Sequence, residues 1–247
     1  MKLLVTAGNT LTPIDRVRAI TNIFTGRTGA RIALHAHERG HFVVLLTSHP
    51  EVVPELCHGP EPTERWAVVT YRTFDDLRQL MTEIIPGGDL DAVIHCAAVS
   101  DYQSAGIYAP APGTCFRDNG RWESDENAPL LVDRAAEKVK SDEPELWLRL
   151  IRTPKLVDFI RTDWKFRGIL VKFKLEVGLR DAQLQEIGER SRRQSGADLM
   201  VANTIEGAGA YAYLGPIDGG YQCILRAELA PRLIQAIEHL HGASLHG

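Results

Sequence analysis

Thr21, Asn22, Thr25, Gly26 and Gly29 crowd the stretch ahead of a run with helical spacing, and Arg16 and Arg18 precede them. Hydroxyls, a carboxamide and glycines at the mouth of a helix suit an anion, because the exposed N–H groups of a helix N-terminus attract phosphate. The setting departs from the dinucleotide fingerprint, which joins strand to helix at once with G-x-G-x-x-G. Here the first strand ends at Gly8, the helix-start glycines are Gly26 and Gly29, and the loop "NTLTPIDRVRAITNIFT" lies between. On the glycines alone two readings stand: the turn cradles a phosphate, or Gly26 and Gly29 only relieve backbone crowding. The surrounding Thr, Asn and Arg side chains favour a polar ligand.

Other constellations carry less. "HERGH" (His37 to His41) matches H-E-x-x-H in form, but that motif binds zinc only when both histidines share one face of a continuous helix. Gly40 ends the helix first, and the remaining histidines lack metal-ligand spacing. Cys96 lies in an apolar run and reads as a small core residue. "RSRRQ" reads as a solvated helix face, although a nucleotide's phosphates could recruit one of its arginines. "LDAVIHCAA" and "VTAG" look like pieces of an NAD(P)-dependent reductase. No Tyr-x-x-x-Lys pair exists to support that reading, and the second strand ends in "LLTSHP", with no acid for a ribose diol and no arginine for a 2′-phosphate.

The elements that must position these residues alternate. "KLLVTAG" reads as a strand, "GARIALHAHERG" as a helix stopped by Gly40, and "HFVVLLTS" as a strand buried on both faces. "WAVVTYR" (strand), "TFDDLRQLMTEII" (helix capped by Thr73) and "LDAVIHCAAVSD" (strand) follow. Further on come "KLVDFIRTDW" (helix), "FRGILVKFKLEV" (strand), "RDAQLQEIGERSRRQ" (helix) and "ADLMVAN" (strand). The chain closes with a hairpin around Asp218-Gly219-Gly220 and the helix "RAELAPRLIQAIEHL". This is the pattern of an α/β fold with a doubly wound, mostly parallel, Rossmann-like sheet, expected as a single domain over 1–247. Residues 103–136 break the pattern. They are rich in Pro, Gly and Asn, hold a hairpin signal at Asn119-Gly120, and read as an irregular arm.

The totals agree with a globular protein. Of 247 residues 44% are hydrophobic and 24% charged, and the formal net charge of −4 argues against wholesale nucleic-acid binding. No apolar run approaches the ~18 residues of a spanning helix, so no membrane partner is expected. The start lacks the pattern of a secretion signal, and Cys57, Cys96, Cys115 and Cys223 are scattered without paired spacing. Both features predict a cytoplasmic location.

Taken together, six blocks resemble the phosphopantothenoylcysteine synthetases (phosphopantothenate–cysteine ligases). "VTAGNTLTPIDRVRAITNIFTGRTG" is similar to that family's opening block, and "HCAAVSDY" to its A-A-V-A/S-D-Y/W block. "EKVKSDEPELWLRLIRTPKLV" resembles K-I-K, a short gap, L-x-L, then N/T-P-x-I. "VKFKLEV", "GADLMVAN" and "RAELAPRLIQAI" follow in the family's order. The lack of a fused flavin half in this sequence resembles the stand-alone bacterial form.

The resemblance implies that a nucleotide, CTP more readily than ATP, converts the carboxylate of 4′-phosphopantothenate to an acyl-nucleotide, which L-cysteine then captures. Mg²⁺ would arrive with the triphosphate, without a protein ligand set, because it keeps waters and takes few side chains. By position, Lys138 would neutralise the α-phosphate and Asn22 would hold the acyl-nucleotide. The family match assigns Gly8, Ala97, Ala98, Val99, Asp101, Pro154, Lys155, Leu156, Val157, Phe173 and Arg190 to the nucleotide. Asp101 would take the ribose, the backbone of Ala97 to Val99 the base, and Arg190 the phosphates. Thr25, Gly26, Arg27 and Gly29 would bind a substrate phosphate. Each has a bland alternative: Lys138 as a solvated lysine, Asn22 as a turn residue. The arm falls where family members reach across a dimer interface, which implies a homodimer. Departures from the family pattern are Ile23-Phe24, Lys172 in place of glycine, and Thr204 in place of aspartate. They leave a nucleotide-binding paralogue without ligase activity as the alternative.

Overall fold

The structure is a computed structural model describing residues 1–57, 59–87, 89–125 and 128–245. Residues 126 and 127 of the arm expected at 103–136 lie outside the described residues.

The apolar, β-branched run Lys2–Ala7 forms β1, with five of its six residues buried. There follow β2 (Leu11–Pro13), β3 (Ala19–Thr21), α1 (Arg27–Glu38), β4 (Phe42–Thr47), α2 (Val52–Leu56), β5 (Trp66–Thr70), α3 (Phe74–Ile84) and β6 (Ala92–His95). The stretch that reads as irregular carries β7 (Tyr102–Pro110), β8 (Thr114–Phe116), β9 (Trp122–Ser124) and β10 (Leu131–Asp133), and β11 (Trp147–Arg152) comes after it. The regular alternation resumes with α4 (Leu156–Thr162), β12 (Ile169–Glu176), α5 (Asp181–Ser195) and β13 (Leu199–Thr204). It ends in β14 (Tyr211–Ile217), β15 (Gly220–Leu225), a 3₁₀ turn and α6 (Leu229–Leu245).

Local chemistry explains the boundaries. Thr73 caps α3, its hydroxyl accepting from Asp76 N–H while the Asp76 carboxylate accepts from Thr73 N–H. Gly40 (φ +88°) turns the chain from α1 into β4. Asp218 (φ +50°) and Gly219 (φ +84°) make the tight turn expected between β14 and β15.

The chain divides into two compact units. The first comprises Met1–Thr10, Ile23–Val99 and Lys155–Gly247, and the second Leu11–Asn22 and Ser100–Pro154. The first holds one eight-stranded sheet in the order β15-β14-β13-β12-β6-β1-β4-β5. Six strands run parallel, and β14 and β15 are antiparallel at one edge. From β1 the chain winds outward through β4 to β5, then crosses to β6 and winds the other way. The switch point of a doubly wound fold, where ligands lodge beyond the carboxyl ends of the strands, is therefore between β1 and β6. Ile32 and Ala33 of α1 and Leu233 and Ile237 of α6 seal one face of the sheet. Leu77 and Met81 of α3 and Leu156 and Ile160 of α4 seal the other. Each such fully buried Leu, Ile or Met side chain contributes ~1.5–3 kcal/mol.

In the second unit β7 is flanked by β10 and β11, both antiparallel to it. Two small hairpins accompany this sheet, β2–β3 and β8–β9. The Thr12 hydroxyl donates to the Tyr102 carbonyl (2.9 Å), tying β2 to β7. Phe116 packs edge on against Trp122 and Trp147, which are tilted to each other, with centroids 4.7–5.1 Å apart. Three of the four strands in residues 103–136 are three residues long, and Pro and Gly interrupt the stretch. Among the described residues no helix is long and apolar enough to cross a membrane.

Candidate active site

The switch point brings several of the expected residues together within the first unit. Beyond β1 the backbone of Gly8 (φ +90°) accepts from Ala98 N–H (2.8 Å), and Thr10 N–H donates to the Ala98 carbonyl (3.3 Å). A side chain at Gly8 would collide with Ser48, whose hydroxyl accepts from Asn9 N–H (2.9 Å) and donates to its carboxamide oxygen (3.2 Å). The Ala97 N–H donates to Thr6 Oγ1 (3.2 Å). Gly8 and Ala97 to Val99 thus form one hydrogen-bonded rim, which can offer backbone groups to a base but few side-chain donors. Lys155 stands at the N-cap of α4 and is exposed, whereas Leu156 and Val157 are core residues with only their backbone near the helix start. Phe173, half-buried on β12, follows directly on the Lys172–His95 register pair.

The turn before α1 is crowded as well as polar. Gly26 is left-handed (φ +77°), and a Cβ there would lie 2.3 Å from the Gly8 nitrogen. A Cβ on Gly29 would lie 2.7 Å from that of Ala7. Close approach of helix to strand therefore requires both glycines. Thr25 is exposed, and Arg27 pairs with Glu55 across a partly exposed bridge. No acidic residue occupies the first turn of α1, which keeps its positive end uncompensated.

Sequence reading missed Arg226 at this turn. It follows β15, its guanidinium donates to the Thr28 hydroxyl, and burial pulls its pKa below the ordinary arginine value. No local motif marks it, because it reaches the turn from the far end of the chain. Cys96 lies nearby, and burial raises its thiol to about 12, so at neutral pH it is not a thiolate nucleophile.

Behind the rim, on the α4 side of the sheet, lies a buried polar pair that the sequence did not announce. His95 Nδ1 and Thr6 Oγ1 are 3.0 Å apart on neighbouring strands. Burial, with the nearby Lys172 ammonium adding to it, lowers the His95 pKa to about 4, leaving a neutral imidazole. Lys172, which stands where glycine is usual, turns its amine toward α5 and donates to the Ser191 carbonyl (3.1 Å) and the Ser195 hydroxyl (3.3 Å). Thr204, in place of aspartate, accepts from Gly207 N–H (3.2 Å), an ordinary turn bond. Arg190 lies on the exposed side of α5, paired with Glu186 at 3.3 Å.

Asn22, Asp101, Lys138 and Pro154 belong to the second unit. Asp101 and Pro154 are drawn together at the junction of β7 and β11, where Thr153 N–H donates to the Asp101 carbonyl (2.9 Å). Asn22, half-buried, follows β3 directly, and Lys138 is exposed between Glu137 and the buried Val139. The two histidines of "HERGH" part company, His37 meeting the Glu64 carbonyl and His41 the Glu238 carboxylate, both at 2.9 Å. Among the described residues no three His, Cys, Asp or Glu side chains gather as metal ligands.

The sheet order and its switch point define a Rossmann-like α/β protein. Comparison with known proteins narrows this. Residues 1–109 match the family described as DNA/pantothenate metabolism flavoprotein C-terminal domain. Over 209 residues the chain is 30% identical to the coenzyme A biosynthesis bifunctional protein CoaBC of Thermococcus kodakarensis, covering 85% of this chain and 42% of that protein. The CoaBC protein of Escherichia coli is 25% identical over 205 residues, 83% of this chain and 41% of its own. The chain thus spans about two-fifths of the length of the curated relatives it matches. The solved DNA/pantothenate metabolism flavoprotein of Streptococcus pneumoniae superposes with a TM-score of 0.77 at 26% identity, covering 98% of this chain and 100% of that one. The resemblance read from the six sequence blocks is borne out by these similarities, as is the doubly wound fold.

Proposed function

We propose that this protein joins 4′-phosphopantothenate to L-cysteine in a nucleotide-dependent ligation of coenzyme A biosynthesis. The observation that carries the reading is the similarity to the CoaBC protein of Thermococcus kodakarensis across 85% of this chain. In the first step a carboxylate oxygen of phosphopantothenate attacks the nucleotide α-phosphorus, and pyrophosphate leaves. In the second the cysteine amine attacks the acyl carbon, the nucleoside monophosphate leaves, and the amine gives up a proton. Both steps concentrate negative charge, so cations and N–H donors aimed at it supply most of the rate. Lys138 neutralises the α-phosphate, Asn22 holds the acyl-nucleotide, and Asp101 takes the ribose. The backbone of Ala97 to Val99 reads the base, and the Thr25–Gly29 turn receives a substrate phosphate. CTP is the preferred co-substrate. Mg²⁺ would enter on the triphosphate and supply charge neutralisation there. The protein works as a cytoplasmic homodimer.

At two of the three departures the side chain is engaged locally. Lys172 directs its amine to α5, and Thr204 satisfies a local turn. The test is pyrophosphate release by purified protein with CTP or ATP, Mg²⁺ and phosphopantothenate, with and without cysteine. Release that needs phosphopantothenate, and an amide product once cysteine is added, is expected with CTP. Nucleotide binding without pyrophosphate from either nucleotide would sink the reading in favour of a binding paralogue.

A further inference from the structure

Lys138 is exposed in a short segment whose backbone is bound on both sides by the β2–β3 turn. The Arg16 N–H donates to the Glu137 carbonyl (3.0 Å), and the Arg16 guanidinium meets the Glu137 carboxylate (3.2 Å). On the other side Val139 N–H donates to Asp15 Oδ2 (3.1 Å), and the Val139 carbonyl accepts from Arg18 Nη2 (2.9 Å). Asp15 is the hub. Its side chain is fully buried and takes Arg18 in a two-pronged pair at 2.6 and 3.1 Å. Its Oδ1 also accepts the N–H groups of Val17 (2.9 Å) and Arg18 (2.8 Å). Val139 is 3% exposed, so its side chain anchors the segment while Lys138 beside it faces outward.

The Arg16–Glu137 pair lies in solvent and adds little. The Asp15 hub is different, because a sealed carboxylate with a charged partner and three N–H donors has no alternative arrangement of similar energy. A lysine on an unpinned loop would spread its ammonium over many backbone and rotamer states, and misplacement by about 1 Å can cost ~100-fold in rate.

We propose that Asp15 is a positioning residue for Lys138: with Arg18 it clamps Val139 and so presents the Lys138 ammonium from a fixed point of the second unit. The proposal rests on the reading that Lys138 acts in acyl-nucleotide formation. It goes beyond that reading by making a buried acid, remote in sequence, a determinant of the rate.

Two measurements on the full chain test it. The first compares phosphopantothenate-dependent pyrophosphate release for wild type, Asp15→Ala, Lys138→Ala and the double variant. Asp15→Ala is expected to slow kcat ~10–100-fold with little change in the nucleotide KM. On the Lys138→Ala background it should cost less than about twofold, because the two act as a unit. Multiplying effects would overturn the proposal. Should Asp15→Ala not fold, Asp15→Asn, which keeps an acceptor but loses the charge facing Arg18, serves the same cycle. The second is hydrogen exchange at the Val139 amide, expected to quicken at least ~10-fold in either variant while the β7–β11 ladder stays protected. Unchanged exchange at Val139 overturns the clamp. If wild type releases no pyrophosphate, the ligase reading falls and takes the catalytic half of the proposal with it, and the exchange result then decides the clamp alone.

Discussion

Gly26 packs directly on the backbone of Gly8: a Cβ on Gly26 would stand 2.3 Å from the Gly8 nitrogen and 2.8 Å from its Cα. The helix start and the end of the first strand are thereby locked, although seventeen residues separate them in sequence. Gly26→Ala must shift this backbone and also place a Cβ at φ +77°. We expect a loss of roughly 2–4 kcal/mol, from left-handed strain plus overpacking. Chemical denaturation checks it, and a loss below about 0.5 kcal/mol would refute the locked geometry.

Lys138→Ala should leave the fold intact, since the side chain is exposed. Pyrophosphate release should fall by at least ~100-fold, the usual scale for removing a cation aimed at developing charge. Unchanged release with CTP would return Lys138 to the status of a solvated lysine.

Asn22→Ala separates the two steps. A single-turnover burst of pyrophosphate should survive within a few-fold of wild type, while amide formation from cysteine drops ~100-fold. Loss of both together would move Asn22 from holding the acyl-nucleotide to assembling the first step.

His95 makes stability depend on pH. Its folded pKa of about 4 lies below the ordinary 6.5, so between these values the unfolded chain binds a proton that the folded chain refuses. Stability is therefore full above pH ~6.5 and falls as the pH drops toward 4, by up to about 3 kcal/mol from this group. Denaturation midpoints for wild type and His95→Gln should converge as the medium is acidified from pH 7 to pH 4.5. Parallel curves would show that His95 is not held neutral by burial.

The sequence by itself determined the first unit. Continuous apolar runs such as "FVVLLT" suit strands buried on both faces of a parallel sheet, and α1 and α3 show their stops and caps in residue types. Gly8 and Ala97 to Val99 were singled out by the family resemblance, and the fold joins them by hydrogen bonds at the switch point. Local periodicity could not show β8, β9 and β10, since three-residue strands hold less than two periods of alternation. Nor could it show partners brought together by the fold. Arg226 meets Thr28, and Asp15 meets Val139, through contacts between residues more than a hundred positions apart. Lys172 reads from sequence as a departure from the family's glycine, and the fold turns its amine to α5. Which way a long side chain turns, and which buried groups share a proton's field, depend on packing between elements. Only the tertiary structure decides that.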